Sequence, residues 1–202
     1  QQMNPHFIFN SINSIHKFIL ENDKDLSSYY LSKFSSLMRQ TMENSMKDTI
    51  SLREEIDTLK LYLDLEHLRF NRSFDFDIHL NDNMDAGLIE IPPFLFQPYV
   101  ENSIWHGLMN KKDGRGKIDI KFSIEGSLLI CSITDNGIGR EKANELKANS
   151  TKAHKSYGTS ITEKRISALY TLNNMETGVK YEDLIDENGK AKGTSVIIKI
   201  AI

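Results

Sequence analysis

Residues 72–80 read Arg72-Ser73-Phe74-Asp75-Phe76-Asp77-Ile78-His79-Leu80, and here the spacing of apolar side chains changes from helical to alternating. Phe74, Phe76, Ile78 and Leu80 alternate with polar residues, which is the pattern of a half-buried β-strand. Residues 118–124 repeat this alternation, and a Glu125-Gly126 turn leads into a third such stretch, residues 128–134. The chain therefore predicts a β-sheet that begins shortly after residue 70.

The residues before this point predict three amphipathic helices. Ile8, Ile12, Ile15 and Ile19 form an apolar stripe behind a start signal at Asn4-Pro5. A second stripe runs from Leu26 to Met42, and a third helix begins at the capping-box sequence Ser51-Leu52-Arg53-Glu54. Because such helices cannot each bury a stripe alone, we expect them to pack with each other or with a second copy of the chain, as a homodimeric bundle.

Helices and strands are mixed in the second part of the chain, which favours an α+β two-layer sandwich with antiparallel strands. Pro92-Pro93 predicts a helix that runs to about Leu108, residues 159–172 predict another, and residues 195–200 predict a final strand. The polar span from about Arg140 to Tyr157 predicts a mobile loop that acts as a lid. We therefore divide the chain into a helical domain, residues 1–70, and an α+β domain, residues 71–202.

Composition excludes several classes of partner. The 202 residues carry a formal charge of -3, which gives no electrostatic reason to expect nucleic acid or an anionic membrane surface. The single cysteine, Cys131, lies in an apolar run and indicates a buried side chain in a reducing compartment. No apolar stretch is long enough to span a bilayer, so we expect no membrane contact by this segment. Since the sequence does not begin with Met, we expect a cytoplasmic segment of a longer protein.

His6 is a candidate phosphate acceptor at the start of the first helix. On a regular helix it lies about 200° around the axis from Ile8 and shares its face with Asn10, so its ring would point to solvent. A neutral imidazole is nucleophilic near physiological pH, and an exposed one can be approached in line by a phosphate. Asn10 would bind the phosphate or orient the ring. The alternative is a surface histidine without a role.

Two further groups of residues predict a nucleotide site. Asn102 and His106 lie four residues apart on one helix, and the amide oxygen of Asn102 suits Mg²⁺. The alternative for this pair is a polar face wetted by solvent.

The second group surrounds Asp135, which shares a strand face with Leu129, Cys131 and Ile133 and should lie in an apolar pocket. A buried carboxylate needs a donor, and the exocyclic amine of adenine is one. Gly137 and Gly139 would let a flat ring approach the backbone. The alternative is an ordinary strand-ending Asp-Asn-Gly turn.

These stretches resemble a known family. Residues 4–13, Asn4-Pro5-His6-Phe7-Ile8-Phe9-Asn10-Ser11-Ile12-Asn13, are similar to the histidine box of LytS-type sensor histidine kinases. Many other histidine kinases carry an acidic residue directly after the histidine, where it serves as a base. Here Phe7 stands at that position, as a phenylalanine does in the LytS-like branch. The residue that would accept the proton from His6 is therefore unassigned. The resemblance implies that residues 1–70 form a dimerisation and phosphoacceptor region.

Residues 71–202 resemble the GHKL (Bergerat-type) ATP-binding domain, a two-layer α/β sandwich. Residues 98–104 resemble its N-box, with Asn102 at the Mg²⁺ position, His106 at the histidine that often follows, and Trp105 where a basic residue is common. Residues 135–139 resemble the G1 box, whose aspartate binds adenine, and Thr194 lies in a stretch that resembles the box supporting that contact. The family has one further glycine-rich box, and Gly158 is the only residue of this sequence that matches it.

The resemblance implies a protein kinase that uses ATP and Mg²⁺, phosphorylates itself on His6 and passes the phosphate to an aspartate of a response regulator of the LytTR type. It also implies a homodimer and a full-length protein anchored in the inner membrane. Two alternatives stay open: an ATP-binding dimeric scaffold without phosphotransfer, motivated by Trp105 and the incomplete glycine box, and a GHKL ATPase. Pro98 argues against the ATPase, because it stands where such enzymes carry the glutamate that activates water.

Overall fold

The structure, a computed structural model, describes residues 5–82, 84–111, 113–148 and 178–202. Its helices are α1 (Pro5–Leu20), α2 (Lys24–Ser45), α3 (Leu52–Arg69), α4 (Gln97–Asn102), which continues as a π-helical turn (Ser103–Leu108), and α5 (Arg140–Ala148). Its strands are β1 (Ile50–Ser51), β2 (Phe74–Leu80), β3 (Glu90–Ile91), β4 (Gly116–Glu125), β5 (Leu128–Asp135), β6 (Gly178–Ile185) and β7 (Ala191–Ala201). Helices followed by a sheet confirm the predicted α+β class.

The described residues divide into two compact units. The helical unit contains the residues up to Ser73 together with Asp85–Leu95, and the sheet unit contains Phe74–Met84 and the residues from Phe96 onward. The segment Asp85–Leu95, which follows β2 in the chain, thus packs with the helices. No helix in the described ranges combines the length and the apolar character needed to cross a membrane.

The isoleucine stripe predicted for α1 is not the face that this helix buries. Phe7, Ser11 and Phe18 are buried, whereas the side chains of Ile12 and Ile19 are 51% and 59% exposed. The ring of Phe7 lies 5.1 Å from that of Tyr62 in α3. Phe7 and Phe18 therefore belong to the core of this unit, whereas Ile12 and Ile19 face outward.

Helix α3 begins as predicted, with a complete capping box. The hydroxyl of Ser51 accepts a hydrogen bond from the N–H of Glu54 at 3.2 Å, and the Glu54 carboxylate accepts one from the N–H of Ser51 at 2.8 Å. One turn later the buried Glu55 carboxylate accepts hydrogen bonds from the N–H groups of Phe94 and Leu95, at 2.9 and 2.8 Å. Helix α3 therefore fixes the backbone of the segment that precedes α4.

The sheet has the strand order β2-β4-β5-β7-β6. All three alternating stretches form strands as predicted, but β2 pairs parallel to β4, whereas the other neighbours are antiparallel as expected. A parallel pair needs a crossover connection, and the chain between β2 and β4 supplies one that contains α4. The prediction of antiparallel strands throughout was therefore wrong for this pair.

Two predicted boundaries also differ from the structure. The helix predicted from Pro92-Pro93 begins only at Gln97, because Phe94 has φ +58° in the left-handed region, which ends any helix there. The lid predicted from about Arg140 begins instead as helix α5, which anchors itself through the buried Ala143 and contains mostly good helix formers. The rest of that predicted loop, residues 149–157, and the helix predicted over residues 159–172 lie outside the described residues.

Candidate functional site

A cavity of about 290 Å³ lies in the sheet unit, where α4 and its π-helical turn face the ends of β5 and β7. The residues that line it come from four parts of the chain: Tyr99, Asn102, Ser103, His106, Gly107, Asp135, Gly139, Arg140, Ala143, Asn144, Tyr181, Thr194 and Val196. Five of the residues predicted from sequence are among them, namely Asn102, His106, Asp135, Gly139 and Thr194. The folded chain thus brings together residues as far apart in sequence as Tyr99 and Val196.

Asp135 ends β5 with its side chain turned into the protein, where it is only 3% exposed. Burial raises the pKa of this carboxyl, while hydrogen bonds from the Gly137 N–H at 2.9 Å, the Ser103 hydroxyl and the Thr194 N–H oppose the rise. The positive charge of Lys111 acts in the same direction as those hydrogen bonds. Asp135 is therefore a buried acceptor that a further donor in the cavity would stabilise.

The predicted apolar surroundings of Asp135 are confirmed. Leu129, Cys131 and Ile133 precede it on the same face of β5, and all three are fully buried. Asp135 is therefore the last residue on the buried face of β5, and it is the residue of this strand that lines the cavity.

Thr194 stands directly opposite Asp135, because β5 and β7 pair with these two residues in register. A Cβ atom built on the next residue back, Gly193, would lie 1.9 Å from the backbone oxygen of Asp135. Only glycine allows β7 to pass β5 this closely, so Gly193 sets the approach of Thr194 to the carboxylate.

Glycines also shape the wall around Asp135, although not all in the predicted way. A Cβ atom at Gly107 would lie 2.9 Å from Oδ1 of Asp135, so the absence of a side chain keeps this wall open. Gly139 lines the cavity and has φ +79°, a backbone conformation that favours glycine. Gly137 does not line the cavity, because its backbone packs against Gly107.

Asn102 and His106 reach the cavity from successive turns, Asn102 at the end of α4 and His106 in the π-helical turn. Both side chains are half-buried, and both offer polar atoms to a ligand. Both therefore line one cavity. An amide oxygen at this place suits a hard cation such as Mg²⁺.

Sequence reasoning missed several residues of the cavity. Ser103 and Arg140 each directly follow a predicted residue, Asn102 and Gly139, so position next to a recognised motif was the signal that could have found them. Tyr181 comes from β6, and its sequence surroundings carry no such signal. It reaches the cavity only through the pairing of β6 with β7, in which Tyr181 stands opposite Val196.

The remaining predicted residues lie elsewhere. His6 is the second residue of α1, and Asn10 lies one turn further along this helix in the helical unit. Asn10 is half-buried, and its backbone C=O accepts a hydrogen bond from the Ser14 hydroxyl at 3.0 Å. Gly158 lies outside the described residues.

Comparisons with known proteins agree with this fold. A family model described as "Histidine kinase" matches residues 1–74. The sensor protein LytS of Staphylococcus saprophyticus is 32% identical over 196 residues, which are 96% of this chain and 32% of that protein. LytS of Staphylococcus epidermidis is 35% identical over 138 residues, which are 68% of this chain and 23% of that protein. The chain therefore spans a third or less of the length of these relatives.

Solved structures show the same fold. The histidine kinase domain of the blue-light activated histidine kinase EL346 from Erythrobacter litoralis has a TM-score of 0.51 at 12% identity, covering 98% of this chain and 93% of that one. The catalytic domain of the histidine kinase ThkA also has a TM-score of 0.51, at 18% identity, covering 76% of this chain and 95% of that one.

With these matches, the histidine box in α1 and the cavity at Asp135, the chain belongs to the histidine kinase family. Within that family it is of the LytS sensor type, as its histidine box and its staphylococcal relatives indicate.

Proposed function

We propose that this chain is the kinase core of a two-component sensor, which binds ATP with Mg²⁺ and phosphorylates itself on His6. The observation that carries the proposal is the buried carboxylate of Asp135, which lines a cavity together with Asn102, Gly107 and Gly139. A carboxylate in this position selects a ligand that donates a hydrogen bond, as the amine of adenine does.

The residues present fit a nucleotide. The volume of about 290 Å³ is at the lower end of ligand sites, which suits a base and its sugar with the phosphates directed outward. Thr194 stands beside Asp135 and would share the contact to the base, while Gly107 and Gly139 leave room for a flat ring. These residues hold the base in one orientation, and thereby set the direction in which the phosphates leave the cavity.

Asn102 is the residue that would hold Mg²⁺, together with oxygens of the bound phosphates. The ion would neutralise negative charge on the triphosphate and so ease attack on its terminal phosphorus. His106, one turn on and in the same cavity, would donate to a phosphate oxygen.

His6 would be the acceptor, and Asn10 would bind the transferred phosphate or orient the ring. This part of the proposal rests on the histidine box and on the start of α1 at Pro5, which puts His6 in the first turn, where N–H groups have no partner within the helix. A response regulator, which we propose to be of the LytTR type, would then take the phosphate on an aspartate. We further propose that the full-length protein is anchored in the inner membrane.

We also propose that the helical unit forms a homodimer through the outer face of α1. The large apolar side chains Phe9, Ile12, Ile19 and Leu20 are 51% to 73% exposed on this helix. They lie at helical spacing on one side, and a second copy of the chain with the same stripe would cover them.

Radiolabelled ATP tests the kinase proposal. The chain is incubated with γ-labelled ATP and Mg²⁺, and acid-labile protein phosphate is compared in wild type, His6→Ala, Asn102→Ala and His16→Ala. The last variant is a matched control, since His16 is an exposed histidine on the same helix. We expect label in wild type and His16→Ala only. Label in His6→Ala would reject this acceptor, and wild type that binds ATP without label would favour the scaffold alternative.

A further inference from the structure

Arg140 occupies an organised position at the rim of the nucleotide cavity. Its Nε and one terminal nitrogen donate to the two carboxylate oxygens of Asp183, at 2.8 and 2.7 Å. Its guanidinium carbon lies 5.1 Å from the ring centroid of Tyr181. Arg140 and Tyr181 both line the cavity, whereas Asp183 holds the arginine from outside it. Two residues of β6, Tyr181 and Asp183, thus hold the guanidinium group of Arg140 in one place.

Packing within the protein does not account for this arrangement. The side chains of Arg140 and Asp183 are 44% and 48% exposed, and an ion pair of that exposure adds little to stability. What the pair does provide is orientation, because two parallel hydrogen bonds hold the guanidinium plane where a single contact would let it turn.

The charge of Arg140 is largely matched before any ligand arrives. The neighbouring guanidinium holds the pKa of Asp183 below its usual value, so this carboxylate stays ionised and compensates the arginine. A phosphate that bound Arg140 edge-on would have to displace Asp183 from the same nitrogens. The hydrogen bonds to Asp183 lie in the plane of the guanidinium group, so they leave its faces available. An aromatic ring stacks on such a face.

The neighbouring part of the wall is also suited to a flat ring. Ala143 and Val196 line the cavity with apolar side chains, and both are less than 10% exposed. Tyr181 stands opposite Val196 across the β6–β7 pair. The lining of the cavity therefore includes a planar cation, an aromatic ring next to it, and two small apolar side chains.

We infer that Arg140 and Tyr181 form a stacking wall for the base of the bound nucleotide, with Asp183 as the residue that positions Arg140. This inference rests on the proposed function, since it concerns the same cavity. It adds the part of the ligand that this wall recognises, namely the face of the base, whereas Asp135 recognises its edge.

Binding of adenosine and of MgATP to the full chain, measured by calorimetry, tests the inference. We expect Arg140→Ala and Tyr181→Leu each to weaken the binding of both ligands roughly tenfold, because each removes a planar group that stacks on the base. Tyr181→Phe should bind as wild type does. Arg115→Ala is the matched control, because Arg115 forms a similar bidentate pair with Asp75 away from the cavity, at 2.5 and 2.7 Å.

The lysine variant separates a stacked plane from a phosphate contact. Arg140→Lys keeps the charge and loses the plane, so we expect it to weaken adenosine binding as much as Arg140→Ala does. If lysine restores MgATP binding, or if Arg140→Ala weakens MgATP and leaves adenosine unchanged, Arg140 acts on phosphate and the inference is overturned. Unfolding temperatures equal to wild type show that each variant is folded, and Arg140→Lys and Tyr181→Phe change the packing least.

The role of Asp183 is tested by a double-mutant cycle. Asp183→Asn should weaken adenosine binding in the wild-type background and have no further effect in Arg140→Ala, because it acts only through the arginine. Equal losses in both backgrounds would reject positioning.

Asp135→Asn separates the proposed nucleotide binding from the proposed stacking wall. Wild type that binds neither ligand overturns both. Binding that is lost in Asp135→Asn and unchanged in Arg140→Ala and Tyr181→Leu overturns the stacking wall alone.

Discussion

The backbone of Gly137 lies directly against that of Gly107, so that a Cβ atom built on Gly137 would be 2.5 Å from the Cα of Gly107. The N–H of Ile138 also donates to the backbone oxygen of Gly107 at 3.2 Å. This contact joins the end of β5 to the π-helical turn after α4. The elements that carry Asp135 and Asn102 are therefore held together by two glycines, and the contact helps to define the cavity between them.

Gly137→Ala should destabilise the sheet unit and weaken ATP binding together, because the added methyl group would force β5 and the π-helical turn apart. We expect a loss of roughly 1–3 kcal/mol in the free energy of unfolding, the usual range for overpacking. Denaturant titration with and without MgATP measures it. Gly126→Ala is the control, since Gly126 has φ +61° with no atom near its Cβ position and reports the cost of left-handed backbone alone. A Gly137→Ala protein with wild-type stability and affinity would contradict this account.

Glu55→Gln should destabilise the helical unit. The Glu55 carboxylate is buried and accepts the N–H groups of Phe94 and Leu95, one on each oxygen. Glutamine keeps one acceptor and turns an NH₂ group toward the other donor, so we expect a loss of about 1–3 kcal/mol in the free energy of unfolding. Thermal unfolding measures it. Asp57→Asn, an exposed carboxylate on the same helix, should have no effect beyond about 0.5 kcal/mol.

The sequence predicted helices and strands correctly where a local signal, such as side-chain periodicity, is enough to define them. The capping box at Ser51 and the alternation of β2, β4 and β5 are local signals, and the structure confirms them. The start of α4 was mispredicted because Glu55, about forty residues away, holds Phe94 in a conformation that no local signal reveals. Tertiary contacts override local preference in this way.

The site was predictable for the residues that lie in motifs and not for those that only the fold brings near. Period-two alternation predicted that Asp135 shares a buried face of its strand with apolar side chains, and that face is buried. The contribution of Tyr181 depends on the pairing of β6 with β7, and a strand register cannot be read from the tyrosine itself. The outward face of α1 also needed the structure, because an apolar stripe alone does not show which of its side chains the folded unit buries.

Glu101 should make stability depend on pH near neutrality. Burial raises the pKa of Glu101 to about 7, although the hydrogen bond that Gln97 donates at 2.9 Å opposes the rise. Because the folded-state pKa lies above that of the unfolded chain, ionisation of Glu101 destabilises the fold as the pH rises from about 4.5 to about 7, and the full penalty is present above that.

Glu101→Gln removes this penalty and keeps a group that can bond Gln97. We expect the variant to be more stable than wild type at pH 8, by on the order of 1 kcal/mol or more, and equal to it at pH 4. Urea unfolding of both proteins across this range measures the difference. A difference that does not change with pH would mean that Glu101 is not the titrating group.

The outer face of α1 gives the last prediction, which concerns the proposed homodimer. Ile12→Lys with Ile19→Lys puts two charges in the centre of the exposed apolar stripe, where a second copy would have to bury them. We expect the chain to become monomeric in sedimentation, while its helix content stays the same because neither side chain belongs to the core of the unit. Leu88→Lys is the matched control, since Leu88 is an 81% exposed apolar side chain that is not part of α1, and it should leave the dimer intact. If the double variant remains dimeric, the interface lies on another surface, and the exposed apolar side chains of α2, such as Met42 at 62%, become the face to test next.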